Sequence, residues 1–188
     1  MQRSNRTISI NPSDLNIFTD GSALSNSTTS PGGAACFVLN CNLLASTSMY
    51  GTNNICELNA IRHTLKMINL KYNIYRTIFS SNTVNIYTDS QYCIGVITGS
   101  YKAKANLELI QDIKQEHQKV INKGLTINYI HVRAHTKGSD LISLCNSIVD
   151  GAANSAAIEL KQSGDVKRWC KRKVDEEVIS KVRMLMGR

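Results

Sequence analysis

The six cysteines form no C-x-x-C pair, and no second cluster offers zinc-ligand spacing, so a zinc-thiolate module is excluded and reduced, partly buried thiols are expected. Long apolar runs are equally scarce. The start MQRSNRTISINPSD has no secretory h-region, and no stretch approaches the roughly 20 apolar residues of a membrane span. The expectation is an intracellular, cytoplasmic protein with no membrane partner; nucleus or organelle stays open, since the Arg- and Ser-containing start is short for a transit signal and contains Asp14. Only 2 prolines, 42% hydrophobic and 19% charged residues exclude a disordered chain. There is no internal repeat. What the chain has in excess is positive charge: 22 basic against 14 acidic residues give +8, which favours a polyanionic partner.

A length of 188 residues suits one core with a short appendage. Residues 1–13 read as an N-terminal extension, 14–163 as the domain, and 164–188 as a basic tail, expected to be helical because Val174, Val178, Val182 and Leu185 recur at four and three residues. That tail would pack on the core or a second subunit, or bind nucleic acid.

Within the domain, residues 15–19 have a strand's composition and stop at Asp20-Gly21-Ser22, residues 24–33 read as a loop, and 34–39 and 43–50 complete a meander. The period then changes. Leu58, Ile61, Leu65 and Ile68 mark a helix face, with Asn54 as N-cap and Glu57 as its capping-box partner. Residues 84–89 alternate as a strand and again end in an aspartate; Ser90 caps a short helix. Leu107, Ile110, Ile113, Val120 and Ile121 mark a longer helix closed by Gly124, residues 125–132 form a fifth strand, and the Ala-rich residues 146–162 a last helix. The order is that of a layered α/β domain.

Each acid at these junctions has an ordinary explanation alone: Asp20-Gly21 as a turn, Glu57 as a cap, Asp150 as a solvated helix residue. Their neighbours change that. Phe18-Thr19-Asp20-Gly21-Ser22, then Gly51-Thr52-Asn53-Asn54-Ile55-Cys56-Glu57, then Tyr87-Thr88-Asp89-Ser90-Gln91-Tyr92, then His131-Val132-Arg133-Ala134-His135-Thr136, then Asn146-Ser147-Ile148-Val149-Asp150 stand in order. Over residues 14–160 the chain resembles the type 1 ribonuclease H family. The resemblance implies a ribonuclease H-like fold, a five-stranded mixed sheet flanked by helices.

It also implies an endonuclease cutting the RNA strand of RNA/DNA hybrids by two-metal-ion catalysis, leaving 5′-phosphate and 3′-hydroxyl ends. Asp20, Glu57, Asp89 and Asp150 match the family's ligands for two Mg2+ ions, which Mn2+ could replace, with Asp20 the candidate bridge; oxygen-only ligands suit such hard cations. His135 matches a loop histidine that assists proton movement or product departure. Asn26, Asn53, Asn54 and Gln91 match contacts to the hybrid's minor groove, Thr52 and Asn106 a phosphate pocket for the DNA strand. The hybrid is the implied partner, and no obligate protein partner is evident. His63, His117 and His131 receive no role.

Three departures from the family stand out. Residues 98–105 are short where many members carry a basic protrusion, and the tail is the candidate substitute. The segment between His135 and Asp150 is long, and Ile55 stands in place of an arginine. The principal rival reading is an inactive hybrid-binding or scaffold domain of the same fold, which retention of all four acids opposes. A resolvase or transposase core lacks the T-N-N and D-S-Q-Y words, and a basic adaptor leaves the motifs unexplained.

Overall fold

The computed structural model describes residues 9–133 and 140–187. Strands β1 (Leu15–Ala23), β2 (Pro31–Val38) and β3 (Leu43–Tyr50) form an antiparallel meander; β4 (Thr83–Thr88) pairs parallel to β1, and β5 (Thr126–His131) parallel to β4. Helices α1 (Asn53–Leu70), α2 (Tyr72–Tyr75), α3 (Gln91–Thr98), α4 (Leu107–Ile121) and α5 (Leu141–Ser163) make the connections and layers. The mixed sheet is as expected, but it has six strands, ordered β5-β4-β1-β2-β3-β6, because β6 (Cys170–Arg172) adds to the free edge of β3. Nothing in its Cys-Lys-Arg run announces a strand; tertiary partners hold it there.

Strand alternation splits the core in two. Leu15, Ile17, Val84 and Ile86 pack with Leu58, Ile61 and Leu65 of α1, whereas Phe18, Phe37 and Tyr87 pack with Val149 and Ala153 of α5. Close approach on the α5 side depends on small residues. A Cβ on Gly33 would lie 2.1 Å from the Ala153 carbonyl oxygen and 2.8 Å from Ala156 Cβ. Although the sequence reading finds no stretch fit for a membrane span, the 23-residue α5 has the length and, at a mean hydropathy of 1.2, the composition of one. Its Leu, Ile, Val and Ala residues keep the average apolar despite Asn146, Asp150 and Asn154, and here it packs across β1, β2 and β3.

The tail is a clamp of two parts, only one of which the sequence signals. Thr47 Oγ1 donates to the Lys167 carbonyl at 2.7 Å, and Lys167 N donates to Ser48 Oγ at 2.8 Å. Arg172 then forks onto Glu159 at 2.9 and 3.0 Å while its Nε donates to Ser46 Oγ, and together with Lys167 it draws the Glu159 carboxyl down to about 2. Trp169 stacks on His63 of α1, centroids 3.6 Å apart. Beyond the clamp, α6 (Glu176–Leu185), capped by Asp175, buries Ile179 and Val182 in the α5-side core. The helix is shorter than the apolar spacing suggests, and Val174 precedes it.

Deleting residues 165–188 is therefore expected to lower the melting temperature by at least about 5 °C, since each buried aliphatic side chain contributes about 1.5–3 kcal/mol. An unchanged melt would show that the tail does not brace the fold. The same variant tests hybrid binding: unchanged affinity at low salt would remove the tail as a substitute for the missing protrusion.

Candidate active site

Asp20 does not end its strand. β1 continues to Ala23, with Asp20 opposite Ala35 and Ser22 opposite Gly33, because β2 begins at Pro31 and supplies the ladder that Gly21-Ser22-Ala23 would not hold alone. Asp20 thus sits inside the sheet, only 4% exposed, on the face of Phe18. On the other face, the missing side chain of Gly21 lets α1 lie directly on β1: a Cβ there would be 2.1 Å from Glu57 N and 2.3 Å from the Cys56 carbonyl carbon. This contact seats Glu57, also 4% exposed, beside Asp20. Asp89 follows the last residue of β4, the parallel neighbour of β1. Carboxylate oxygens of Asp20, Glu57 and Asp89 all lie within 4.8 Å of one another.

Buried like charges at this distance oppose ionisation. Burial, then Asp89 and Asp150, push the Asp20 carboxyl from 3.8 to about 7; burial, then Asp20 and Asp89, hold Glu57 well above the ordinary carboxylate range. Among the described residues, Glu57 Oε2 is buried with no hydrogen-bond donor. A divalent cation meets both needs, supplying positive charge and a partner for the orphaned oxygen. The oxygen-only donor set fits a hard ion.

Asp150 lies on α5, half-buried and outside the three-acid cluster, yet near enough to raise Asp20. His135 falls outside the described residues. Thr52, not Asn54, caps α1: its backbone is extended, and its Oγ1 accepts from Ile55 N at 3.4 Å, so Glu57 is left to face Asp20 and makes no capping box. Asn53 and Asn54 are exposed in the first turn, where Asn53 Oδ1 accepts from Ala23 N at 3.2 Å and ties α1 to the strand end below the Asn26 loop. Asn26 is exposed in that loop, and Gln91 is exposed at the start of α3, two residues past Asp89. Asn106 precedes α4 in the left-handed region, φ 58°, without a side-chain capping bond.

One positioning contact escaped the sequence reading. The His131 imidazole Nε2 lies 3.1 Å from the Asp89 carbonyl oxygen, and His131 pairs with Thr88 across the sheet. Its place at the end of β5, beside the strand that carries Asp89, was the available signal.

A family model described as RNase H matches residues 12–158. The chain belongs to the RNase H family. It is a ribonuclease H, a hydrolase acting on nucleic acid, and the acidic cluster suits the divalent metals such enzymes use. No curated protein matched significantly. Among solved structures, the N-terminal RNase H domain of a Mycobacterium tuberculosis protein, determined as a fusion with maltose-binding protein, is 18% identical with a TM-score of 0.58 over 81% of this chain and 100% of that one. An RNase H1 isolated from compost by a metagenomic approach is 17% identical with a TM-score of 0.53, over 79% and 99% of the two chains. The RNase H1 of the halophilic archaeon Halobacterium salinarum is 17% identical with a TM-score of 0.54, over 78% and 98%. At these identities the likeness is one of fold.

The segment this ribonuclease H has in place of a protrusion folds back on α3. Tyr101 N donates to the Gly95 carbonyl at 2.9 Å, and the Tyr101 ring occupies the space a Cβ on Gly95 would need. Lys102 and Lys104 remain exposed beside it.

Proposed function

We propose that this ribonuclease H cuts the RNA strand of RNA/DNA hybrids, leaving 5′-phosphate and 3′-hydroxyl ends, at a site where Asp20, Glu57, Asp89 and Asp150 hold two magnesium ions. The observation that carries the reading is the convergence of three carboxylates within 4.8 Å at a place too buried for all of them to ionise without added positive charge. Two such ions, when bound, lower the pKa of an attacking water and take up charge on the leaving 3′ oxygen. Asp20, with Glu57 and Asp89 within reach and Asp150 affecting its charge, would be the candidate ligand common to both. His135 assists proton movement or product departure.

The polar residues around the acids read the substrate. Asn26, Asn53, Asn54 and Gln91 face solvent and offer amide donors and acceptors to a 2′-hydroxyl. Thr52 spends only an acceptor lone pair on its helix cap, so its hydroxyl hydrogen is available to a DNA-strand phosphate. Asn106, whose amide makes no cap bond, joins it there.

Cleavage of an end-labelled hybrid with Mg2+ tests this, comparing the wild type with Asp89→Asn. Loss of one cation ligand is expected to cost about a hundredfold or more in rate, several kcal/mol of charge stabilisation. Equal cleavage by the variant would remove Asp89 from the site. Cleavage of the DNA strand would overturn the substrate, and a wild type that binds hybrid without cutting it would support the scaffold reading instead.

A further inference from the structure

Asp20 and Asp89 belong to neighbouring parallel strands, and nothing local sets how those strands line up. Between β1 and β4 the chain passes through β2, β3, α1 and α2, so no tight turn fixes their register. On the α1 side the pairs are Leu15 with Val84 and Ile17 with Ile86, aliphatic against aliphatic, and a slip of two residues would keep that face apolar. Such a slip would carry Asp20 past Asp89 by about 6.6 Å, at about 3.3 Å per residue. The acid oxygens lie within 4.8 Å of one another, so the cluster would not survive it.

The discrimination sits on the α5 side. There Asn16 pairs with Asn85 and Phe18 with Tyr87, and two residues further along stand Asp20 and Asp89. Asn16 and Tyr87 are fully buried, Asn85 nearly so. Asn16 Oδ1 accepts from Asn85 Nδ2 at 3.1 Å and from the Tyr87 hydroxyl at 3.0 Å, while its Nδ2 donates to the carbonyls of Asn11 and Asp14, both at 2.9 Å. Asn85 Nδ2 also donates to Asp14 Oδ2 at 3.0 Å, and its Oδ1 accepts from Asn128 Nδ2 of β5 at the same distance. Next to this rung the Phe18 and Tyr87 rings stack, centroids 4.4 Å apart. A slip of two in either direction would set a ring against an amide and part the two amides, leaving buried polar atoms without partners. A satisfied polar network of this kind selects one alignment among several.

We propose that Asn16, Asn85 and Tyr87 are positioning residues for the acid cluster: their rung locks β1 to β4 in the register that brings Asp20 beside Asp89, and so sets how tightly the acids hold a divalent cation. The proposal rests on the reading of those acids as a cation site. Its influence passes along the strands, since Tyr87 precedes Asp89 by two residues and Asn16 precedes Asp20 by four, about 13 Å of strand. Thr19 adds a tie next to the acids from the α1 side, its Oγ1 donating to the Tyr87 carbonyl at 3.2 Å. Through Asn128 the rung also reaches β5, whose His131 meets the Asp89 carbonyl.

Mn2+ affinity of the full chain, read from the electron paramagnetic resonance of the free ion, tests this without any cleavage. Tyr87→Phe keeps the ring stack and removes one hydroxyl; it should weaken Mn2+ binding about threefold, the scale of one net hydrogen bond. Asn85→Leu, which takes a partner from Asp14 Oδ2 and from Asn128 Nδ2, should weaken it about tenfold or more. In hybrid cleavage kcat should fall by similar factors with KM unchanged, because the solvent-facing Asn53, Asn54 and Gln91 keep their places. The control is Val120→Ala, equally buried at the far end of α4: its melting temperature should fall while Mn2+ affinity and kcat stay at wild-type values. Wild-type Mn2+ affinity in both rung variants would overturn the proposal and leave the rung a matter of stability alone. An equal loss in Val120→Ala would overturn it too, by showing that any loosening of the fold disturbs the acids. Should Asn85→Leu not fold, Tyr87→Phe decides alone. A wild type that binds Mn2+ but leaves the hybrid intact would sink the catalytic reading and not this one; a wild type that binds no Mn2+ would sink both.

Discussion

Asp20→Asn is expected to abolish hybrid cleavage, by at least about a thousandfold, while making the metal-free protein more stable at pH 8. The two effects share one cause. In the folded chain, burial and the neighbouring acids raise the Asp20 carboxyl to about 7 from an ordinary 3.8. Between those values the folded state binds the proton more tightly than the unfolded one, so this group's contribution to stability is fully present below about pH 4 and is lost as pH rises through 7. A neutral amide removes the penalty, a gain on the order of 2–4 kcal/mol at pH 8 before the shared proton with Glu57 is discounted. In melting temperature this is about 5 °C or more. In EDTA the variant should melt above the wild type at pH 8, and the gap should narrow toward pH 4. Mg2+ should raise the wild type most at the alkaline end. A variant that melts below the wild type in EDTA at pH 8 would show that the acids are not in conflict.

Gly21→Ala carries the second large effect, and it needs no charge. The added carbon would lie 2.1 Å from Glu57 N, 2.3 Å from the Cys56 carbonyl carbon and 2.6 Å from Glu57 Cα. These are backbone atoms of a helix, unable to rotate aside, so α1 must retreat from β1 by on the order of 1 Å to reach ordinary contact. Overpacking of this kind costs about 3 kcal/mol or more. A 1 Å displacement of Glu57 from Asp20 is expected to lower cleavage about a hundredfold even below the melting temperature. Thermal unfolding and hybrid cleavage at a temperature where both proteins are folded separate the two losses. Wild-type cleavage in the folded variant would show that Gly21 does not set the spacing of the acids.

That double duty of Gly21 marks the boundary of what could be read in advance. The Asp20-Gly21 pair looked like a turn because glycine, serine and alanine are poor strand formers; only the pairing with Pro31–Val38 keeps the strand going. The helices at Leu107–Ile121 and Gln91–Thr98 were legible because their signals are local: an apolar period with a stop at Gly124, and Ser90 accepting from Cys93 N. The choice between Thr52 and Asn54 as cap turned on backbone geometry, which two adjacent cap-forming residue types do not reveal. β6 was invisible for a different reason: its partners, Leu44 to Ser46 on β3 and Glu159 on α5, are distant in sequence. The acids themselves were legible as a set of words, and their mutual distance was not, because it depends on two helices and two strands meeting.

The stack of Trp169 on His63 gives the clamp an optical voice. Trp169 is the chain's single tryptophan, held against an imidazole that burial, aided by Arg62, Lys71 and Lys66, keeps neutral down to about pH 4. Its emission therefore reports the seating of the C-terminal segment against α1.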